Sequence, residues 1–489
     1  MKSIIFILIY LVSIGYAQAQ KIKLRNTEFI KALRADCPKC IDKKNTLTAE
    51  CEKIKRLDFI IEQNNRPMFG DELEEEVEEA QFVTDGIDFS IFTNLEQLTI
   101  SGYVASKIIN WPKKLKALDL TKCHYNQTMP NLPDGLLYLN LEGDFYDYSQ
   151  GRIQYLFDYI QLPKSLEVLI MKYNIKLKGI KSLPPKLKVL VSRYNEHASH
   201  LLDILPNSLK VLRLEESYLT DLPDKLPDSL QYLYLSHNYL ETLPSLPPNL
   251  LVLDLNDNMI DTFPDSFPKG LKELSLHRNH LEKLPENLPV SLEKLNLSRQ
   301  MLKVADFSRF VRLKELYISG NELSRLILPK SIEILNCGDN KLSFFEDSLP
   351  KLKELYINNN QLSNFKLYAP KLTFLDCSNN LISLDSLNIK HCQKLKVLDC
   401  SHNQLQQIKP LPNSLTQLNC ANNQLTELSL IPPNLFYLDY SGNKITTLPK
   451  FPPHLTQIVD KTEEEIEAEN EEHSPKSRFK GRKYEKMKE

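Results

Sequence analysis

The most regular feature of the sequence is a short alternation of apolar and polar residues that returns about every twenty residues. Residues 246–258 read LPPNLLVLDLNDN, and residues 267–279 read FPKGLKELSLHRN. Apolar residues at alternate positions place their side chains on one side of a short strand. Each copy of the phrase therefore predicts one strand, and the asparagine after it marks the bend where the strand ends.

The phrase L-x-x-L-x-L-x-x-N recurs in about eighteen copies, most of them separated by 19 to 23 residues. Their leading apolar residues are Leu95, Leu115, Leu136, Leu166, Leu187, Leu209, Leu230, Leu250, Leu271, Leu292, Leu313, Ile332, Leu352, Leu372, Leu395, Leu415, Leu435 and Leu455. A single strand cannot bury its own leucines, so the copies must stack and form their core between neighbours. A chain of 489 residues would ordinarily suggest several domains, but a stacked array predicts one elongated domain.

Prolines recur between the strands in the phrases LPxxLP and LPPxL, for example at Pro223, Pro227, Pro247 and Pro248. Proline fixes its own φ and pushes the preceding residue into extended geometry. The segments that return from one strand to the next are therefore predicted to be mostly extended, similar to polyproline, rather than helical.

An asparagine closes most copies, as at Asn258, Asn279 and Asn360. Its side chain carries both a donor and an acceptor, and it is short enough to turn inward at the bend. We expect it to pair with backbone groups that the bend leaves without partners.

These phrases resemble leucine-rich repeat proteins of the bacterial type. The LPxxLPxxLxxLxLxxN phrasing is similar to the pure-repeat effectors of enteric pathogens, and LTFLDCSNN, LKVLDCSHN and LTQLNCANN resemble secreted leucine-rich repeat proteins of the Bacteroidota. The resemblance covers residues 53–460. It implies a horseshoe-shaped solenoid with a parallel β-sheet on the concave face, mostly extended returns on the convex face and a helical N-terminal cap. It also implies binding of another macromolecule, with a partner that differs between members.

The two ends of the chain differ from the array. Residues 1–19 combine Lys2, an apolar run and a small-residue cleavage site, as in a signal peptide, so we expect export to the cell surface, periplasm or medium. Residues 20–52 predict a cap that begins with a helix at 26–35. Residues 461–489 form a charged tail, predicted to be disordered or a lone helix, and we expect no ubiquitin-ligase domain after the array. No later segment has the roughly twenty apolar residues of a membrane span.

Two insertions interrupt the array. The acidic insertion, at about residues 62–82, reads as a solvated helix or loop. The aromatic insertion, at about residues 142–162, contains DFYDYSQGRIQYLFDYI. Its aromatic side chains either cover the neighbouring part of the sheet or extend its binding surface.

Seven of the nine cysteines fall into two groups. Cys337, Cys377, Cys400 and Cys420 occupy core positions of their copies and are predicted to pack as small apolar residues. Cys37, Cys40 and Cys51 precede the array, where one disulfide from Cys51 to either Cys37 or Cys40 would hold the cap together in an oxidising compartment.

Side chains between the strand leucines face away from the core, and in one part of the array they are apolar. The candidate partner-binding residues there are Val168, Ile170, Val189, Val191, Val211, Arg213, Tyr232 and Tyr234. A contiguous apolar patch bordered by tyrosine and arginine is typical of a protein interface. Alternatively, strands of this family favour β-branched residues, or the aromatic insertion covers the patch.

Further along the array, the outward positions become acidic and aromatic. The candidate binding residues there are Tyr317, Tyr356, Asp376, Asp399 and Asp439. Such a stripe suits a basic peptide or a hydroxyl-rich glycan, but aspartate on an exposed sheet also serves solubility.

The sequence shows no arrangement of catalytic residues and no cofactor motif, since GxSxG, HExxH and phosphate-binding glycine loops are missing. We expect no metal either, because the calcium-like loop CIDKKNTLTAEC has Lys44 and Thr46 where oxygen ligands and glycine are wanted. A net charge of −2 and a pI of about 6.6 do not indicate nucleic acid. The sequence thus predicts an exported, non-enzymatic scaffold for a protein or peptide, with a glycan-binding adhesin as the alternative. It does not predict the oligomeric state.

Overall fold

Each copy of the repeated phrase forms one short parallel strand. From Leu95 to Leu455, the strand begins two residues after the leading apolar residue, as in Val252–Asp254 after Leu250. The middle residue of that strand, Leu253, is buried, and the residues on either side of it are half-buried on the other face. Alternation along an extended chain gives this result, and it confirms the predicted solenoid of parallel strands.

The computed structural model describes residues 30, 33–34, 37–60, 87–101, 108–121, 131–143, 161–173, 180–196, 198–383, 387–408, 411–428 and 431–461. The predicted signal peptide, the acidic insertion and the tail after residue 461 lie outside these residues. So does most of the aromatic insertion. The described residues divide into two units, one comprising Met1–Leu219 with Leu226–Leu230 and the other comprising Thr220–Lys225 with Gln231–Glu489.

The first unit contains a parallel sheet in the order β1-β3-β5-β6-β7-β8-β9, and β2 pairs separately with β4. Register aligns the second residue of each strand of the seven-stranded sheet, a leucine from Leu57 to Leu212, with that of its neighbour, so these leucines form one continuous buried row. The strands are β1 Arg56–Ile60, β2 Ile87–Asp88, β3 Gln97–Ser101, β4 Ile108–Asn110, β5 Ala117–Asp119, β6 Tyr138–Asn140, β7 Val168–Ile170, β8 Val189–Val191 and β9 Val211–Arg213. Besides the helical residues at the start of the cap, the helical segments of the described residues are the 3₁₀ helices Pro38–Cys40, Ala49–Lys53 and Phe89–Ile91 and the α-helix Ser199–Leu202.

The cap differs from its prediction in its disulfide. Cys37 is bonded to Cys40, and Cys51 is a free, buried cysteine, so the predicted bridge from Cys51 to Cys37 or Cys40 is not formed. The 3₁₀ turn Pro38–Cys40 brings the Cα atoms of Cys37 and Cys40 to 5.4 Å, a normal distance for a disulfide. Of the predicted cap helix, only Ile30, Leu33 and Arg34 are described, and all three are helical.

The second unit contains a parallel sheet in the order β10-β11-β12-β13-β15-β17-β19-β21-β23-β24-β25-β26. Two smaller parallel sheets, β14-β16 and β18-β20-β22, form from return segments. The strands are β10 Tyr232–Tyr234, β11 Val252–Asp254, β12 Glu273–Ser275, β13 Lys294–Asn296, β14 Val304–Asp306, β15 Glu315–Tyr317, β16 Arg325–Ile327, β17 Ile334–Asn336, β18 Phe344–Ser348, β19 Glu354–Tyr356, β20 Asn364–Tyr368, β21 Phe374–Asp376, β22 Leu387–Asn388, β23 Val397–Asp399, β24 Gln417–Asn419, β25 Tyr437–Asp439 and β26 Gln457–Val459.

The smaller sheets add to the predicted extended geometry of the returns, because some of the returns also pair with one another. In several copies outside these sheets, a proline such as Pro244 or Pro285 stands four residues after the first apolar residue of the return. Asp306 and Glu346 take that place in the copies that pair, and both lie within strands. Proline has no N–H to donate to a ladder, whereas a residue such as Asp306 has one.

The four core cysteines are fully buried, which confirms their predicted packing role. The thiols of Cys377, Cys400 and Cys420 lie 3.3 to 3.5 Å from backbone carbonyl oxygens of the following strands, to which they can donate weak hydrogen bonds. Burial raises the pKa of the Cys377 and Cys400 thiols, so both remain protonated.

The closing asparagines connect successive coils through their side chains. The Asn360 amide Nδ2 donates to the Cys337 carbonyl of the preceding coil at 3.1 Å and to the Ile357 carbonyl of its own coil at 3.2 Å. Its Oδ1 accepts the Leu342 backbone N–H at 3.0 Å. Gln300 makes the equivalent bonds to the Leu276 carbonyl and the Leu281 N–H. The predicted backbone role of these residues is therefore confirmed, and one glutamine shares it.

No helix among the described residues combines the length and the apolar character needed to cross a membrane.

Replacing Asn360 by alanine should lower the free energy of unfolding by about 2–4 kcal/mol, because three buried backbone groups lose their partner. Asn360→Gln should lose less than half as much, since Gln300 makes the same bonds. Gln361→Ala removes a neighbouring exposed side chain and should change stability by less than about 0.5 kcal/mol. Urea unfolding, with hydrogen exchange at the Leu342 amide, measures all three. Equal stability of Asn360→Ala and Gln361→Ala would contradict the role of Asn360 in connecting successive coils.

Peptide mapping without reduction should recover Cys37 and Cys40 in one disulfide-linked peptide. Cys51 should react with an alkylating reagent only after denaturation, because its side chain is buried. Recovery of Cys51 in a disulfide would show that the cap adopts the other bridge.

Candidate functional site

The open face of each sheet is defined by the first and third residues of its strands. The second residue points into the core, and in-register pairing aligns the other two positions of successive strands in two parallel rows. A side chain on this face is therefore surrounded by equivalent positions of the neighbouring coils. The composition of the two rows decides what each sheet can bind.

Five aliphatic side chains occupy adjacent positions on the open face of the first unit, and we name them the aliphatic patch. They are Val168, Ile170, Val189, Val191 and Val211. Val168 pairs with Val189, which pairs with Val211, and Ile170 pairs with Val191. Every one of these side chains is half-buried. The structure thus brings together the aliphatic residues that the sequence singled out.

At one end of the aliphatic patch, polar side chains satisfy one another. The Asn140 amide donates to the Asp119 carboxylate at 3.2 Å and to the Thr121 hydroxyl at 3.0 Å. Tyr138 pairs with Val168 and so lies in the row of Val168, Val189 and Val211. Burial and the nearby Asp119 and Glu142 carboxylates raise the pKa of Tyr138 to about 12. At neutral pH its phenol is protonated, as an ordinary tyrosine is, and its O–H can donate a hydrogen bond.

At the other end, a buried carboxylate holds two arginines. Glu215 is 2% exposed and accepts hydrogen bonds from the Nε and Nη2 atoms of Arg213. The Nε atom of Arg193 lies 3.5 Å from the second oxygen of Glu215. Sequence analysis identified Arg213 but missed Glu215. The sequence signal for Glu215 was its position in the bend, within the pair Glu215-Glu216. The next copy has Ser236 at the position that corresponds to Glu215.

The two tyrosines predicted beside Arg213 belong to the second unit. Tyr232 and Tyr234 are the outward residues of β10, and both are half-buried. In the register of that unit, Tyr232 pairs with Val252 and Tyr234 pairs with Asp254.

The predicted acidic stripe lies in one row of the second unit, but its carboxylates also close the strands. Asp376 pairs with Asp399, and both end their strands. An oxygen of Asp376 accepts the backbone N–H and the hydroxyl of Ser378, two residues on, at 3.0 and 2.6 Å. Asp399 and Asp439 repeat this arrangement with Ser401 and Ser441. The recurring D-x-S spacing was the sequence signal for this local role.

The predicted tyrosines of the second unit stand beside carboxylates of their own strands. The Tyr317 hydroxyl donates to Glu315 at 3.3 Å, and the Tyr356 hydroxyl donates to Glu354 at 3.3 Å. The Tyr356 ring also lies 4.7 Å from the ring of Phe374 on the next strand, measured between centroids. This part of the face therefore presents aromatic rings with acidic neighbours.

Among the residues that the structure describes, no three His, Cys, Asp or Glu side chains are grouped to hold a metal ion. In the loop after Cys40, one oxygen of Asp42 accepts the Lys44 and Thr46 backbone N–H groups, both at 2.8 Å. Those hydrogen bonds lower the pKa of Asp42. The carboxylate thus closes its own turn.

Comparison with known proteins identifies repeats of one class. A profile described as Leucine Rich Repeat matches residues 229–250, and a profile of two Leucine Rich repeats matches residues 370–413. The solved structure of YopM from Yersinia enterocolitica is 32% identical, covers 75% of this chain and 73% of its own, and superposes with a TM-score of 0.56.

Curated relatives match shorter stretches. A leucine-rich repeat protein of Acanthamoeba polyphaga mimivirus is 33% identical over 138 residues, which are 23% of this chain and 32% of the viral protein. Toll-like receptor 2 of Bos taurus is 32% identical over 97 residues, which are 19% of this chain and 12% of the receptor. The chain thus spans about a third of the first protein and about an eighth of the second.

Replacing Asp376 by asparagine should stabilise the protein at neutral pH. Burial, assisted by the neighbouring Asp399 carboxylate, raises the pKa of Asp376 above its ordinary value of 3.8. The folded state then binds the carboxyl proton of Asp376 more tightly than the unfolded state does. The contribution of Asp376 to stability therefore falls as pH rises from 3.8 through the higher pKa of the folded state. Asparagine keeps the bond to the Ser378 N–H, as Asn419 does with Ala421.

Urea unfolding of both proteins from pH 3 to pH 7 measures this difference. The gain of Asp376→Asn should be greatest at pH 7 and should disappear near pH 3, where both side chains are neutral. A gain that does not depend on pH would exclude desolvation of the carboxylate as its cause.

Proposed function

The chain belongs to the leucine-rich repeat proteins, and from that premise we propose that it is an exported scaffold that holds a protein or peptide partner on the concave face of its sheet. Leucine-rich repeat folds typically mediate interactions between proteins and are generally non-enzymatic. To this general property of the fold we add three proposals: a protein or peptide partner for this chain, its binding on the concave face, and export of the chain. The observation that carries the proposal is the aliphatic patch.

The aliphatic patch has no role inside the fold comparable with that of the polar residues around it. Asn140 and Asp376 hold polar groups together or close a strand. Val189 and Val191, in contrast, already have Leu190 between them to fill the core. Five adjacent aliphatic side chains on an open sheet favour removal of that surface from water, at roughly 25 cal/mol per Å² buried. Partner binding provides that burial.

The borders of the aliphatic patch have the composition of an interface rim. Tyr138 offers a phenol, and Arg213 lies at the opposite end, fixed in place by Glu215. Tyrosine and arginine are enriched among residues that dominate binding energy, because each combines a large contact area with a directional polar group. Protein or peptide binding therefore accounts for the borders as well as for the aliphatic centre.

A glycan-binding adhesin is the second candidate, and the second unit supplies its supporting observation. The Tyr356 and Phe374 rings lie side by side next to Asp376, and aromatic faces with carboxylates can bind sugar rings and hydroxyl groups. The acidic stripe supports this proposal less strongly, because an oxygen of Asp376, Asp399 and Asp439 is already used within the strand end.

Export is proposed from the sequence of residues 1–19, which has the charged start, apolar run and small-residue site of a signal peptide. An exported scaffold would meet its partner in the periplasm, at the cell surface or in the medium. Cysteine chemistry is compatible with an oxidising compartment, because the cap contains the Cys37–Cys40 disulfide.

The double substitution Val189→Asp with Val191→Asp should weaken binding of a protein partner at least tenfold, about 1.4 kcal/mol. Two carboxylates in the middle of an apolar contact lose water without gaining partners. Binding is measured by retention of envelope or extracellular proteins on the immobilised chain, followed by titration of the retained protein. Glycan binding should survive this change, because Asp376, Asp399 and Asp439 lie in the second unit.

Val397→Asp is the matched control, since Val397 occupies the same strand position in the second unit and is likewise half-buried. Circular dichroism and thermal unfolding must show that all three proteins fold. Loss of a protein partner with Val397→Asp but not with the double substitution would move the site away from the aliphatic patch. Retained glycans, lost on changing Asp376, Asp399 and Asp439 to alanine, would favour the adhesin.

A further inference from the structure

We infer that the partner of the aliphatic patch is an amphipathic α-helix that lies across the strands, with one apolar residue per turn facing the sheet. This inference rests on the proposed function and specifies the partner. It follows from the spacing of the patch, its size and the charges at its borders.

The spacing of the aliphatic patch is set by the sheet. Neighbouring parallel strands lie about 4.8 Å apart, and the two outward residues of one strand are about 6.6 Å apart. The row Val168, Val189 and Val211 therefore spans about 10 Å across the strands, and the row Ile170 and Val191 runs beside it. The patch repeats at short intervals in the direction across the sheet.

An α-helix matches this interval better than an extended peptide. A helix that crosses the strands presents apolar residues at i, i+3 or i+4 and i+7, one turn or about 5.4 Å apart. An extended peptide in the same direction presents residues of one face about 6.6 Å apart and loses alignment after two strands. The diameter of a helix, about 10–12 Å with side chains, also covers both rows.

Two other modes of occupation fit less well. Strand addition needs a free edge, but β8 is already paired on both sides, with β7 and β9. A second copy of this chain would need an interface of about 800 Å² from each partner, contributed by about 20–30 residues. The aliphatic patch has five residues between charged borders, which is the width of one helix face.

The borders indicate the charge of the helix flank. On the side where the strands begin, Lys188 pairs with Glu167 at 2.7 Å. Lys210, which immediately precedes the next strand, is exposed, and within the described part of the chain no carboxylate forms an ion pair with it. An acidic residue on the flank of the helix would meet Lys210. The occupant is therefore an amphipathic helix with an apolar stripe and an acidic flank.

The test uses the full chain with a photo-crosslinking benzoylphenylalanine at position 168, 189 or 211, one position per protein. The probes are two displayed libraries of peptides about 18 residues long, of equal composition. One library has apolar residues at helical spacing with acidic flanks, and the other alternates apolar and polar residues. Peptides selected on the unmodified chain are crosslinked, and the attached residue is identified by mass spectrometry.

Peptides from the helical library should be enriched at least tenfold over the alternating library. The crosslinked residue should shift by about six or seven positions between protein positions 168 and 211, because two strand intervals correspond to that length of helix at 1.5 Å per residue. A shift of about three positions would indicate an extended peptide. That result would overturn the helix and leave the proposed function intact.

Controls separate the two levels of the proposal. Selected peptides should lose binding to Val189→Asp with Val191→Asp and keep binding to Val397→Asp. Lys210→Ala should weaken the acidic-flank peptides several-fold and leave matched neutral-flank peptides unaffected. Recovery of no peptide that depends on Val189 would overturn both the helix and the site, including the case in which residues of the chain itself already cover the aliphatic patch.

Discussion

The structure depends on one constraint, which is that no coil can bury its own leucines. A strand of three residues, such as Val189–Val191, contributes one core side chain, and Leu190 is covered only because Leu169 and Leu212 stand in register on either side. Stacking is therefore required for a core to exist. The same register fixes the remaining side chains of each strand in two rows outside the core, so the composition of the open face follows from how the fold buries its leucines.

Polar residues in this array work mainly to satisfy the backbone. Every coil leaves the sheet through a bend, and each bend exposes N–H and carbonyl groups that need partners. Asn360 supplies them between coils, whereas Asp376 and Asp399 supply them at the ends of their own strands. This distinction changes the interpretation of the open face. Aspartates that look like a ligand-binding stripe are partly structural, and the aliphatic residues without such a role become the stronger functional signal.

The parts of the fold that repeat could be predicted from the sequence, and the parts that occur once could not. Strand positions follow from alternation and period, and the role of Asn360 follows from its donor and acceptor groups. The return sheets were not predicted, because extended geometry alone does not show which neighbouring returns pair. A residue with an N–H, such as Asp306, can donate to a neighbouring return at the place where proline cannot. The disulfide was missed because spacing alone does not choose among Cys37, Cys40 and Cys51.

The same difference applies to the site. Val189 and Val191 could be placed on the open face from the repeat alone, but the environment of Arg213 could not, because it depends on a single substitution in a bend. Glu215 enters the position that Ser236 takes in the next copy, and it brings Arg213 and Arg193 to one carboxylate. Burying an ionised carboxylate is costly unless it is paired, so removing either arginine would weaken this end of the face more than an exposed ion pair would. A repetitive sheet offers the same geometry at every coil. The charged cluster of Glu215, Arg213 and Arg193 makes one end of the aliphatic patch different from the other, and under the proposed function that difference would set the orientation of a bound partner.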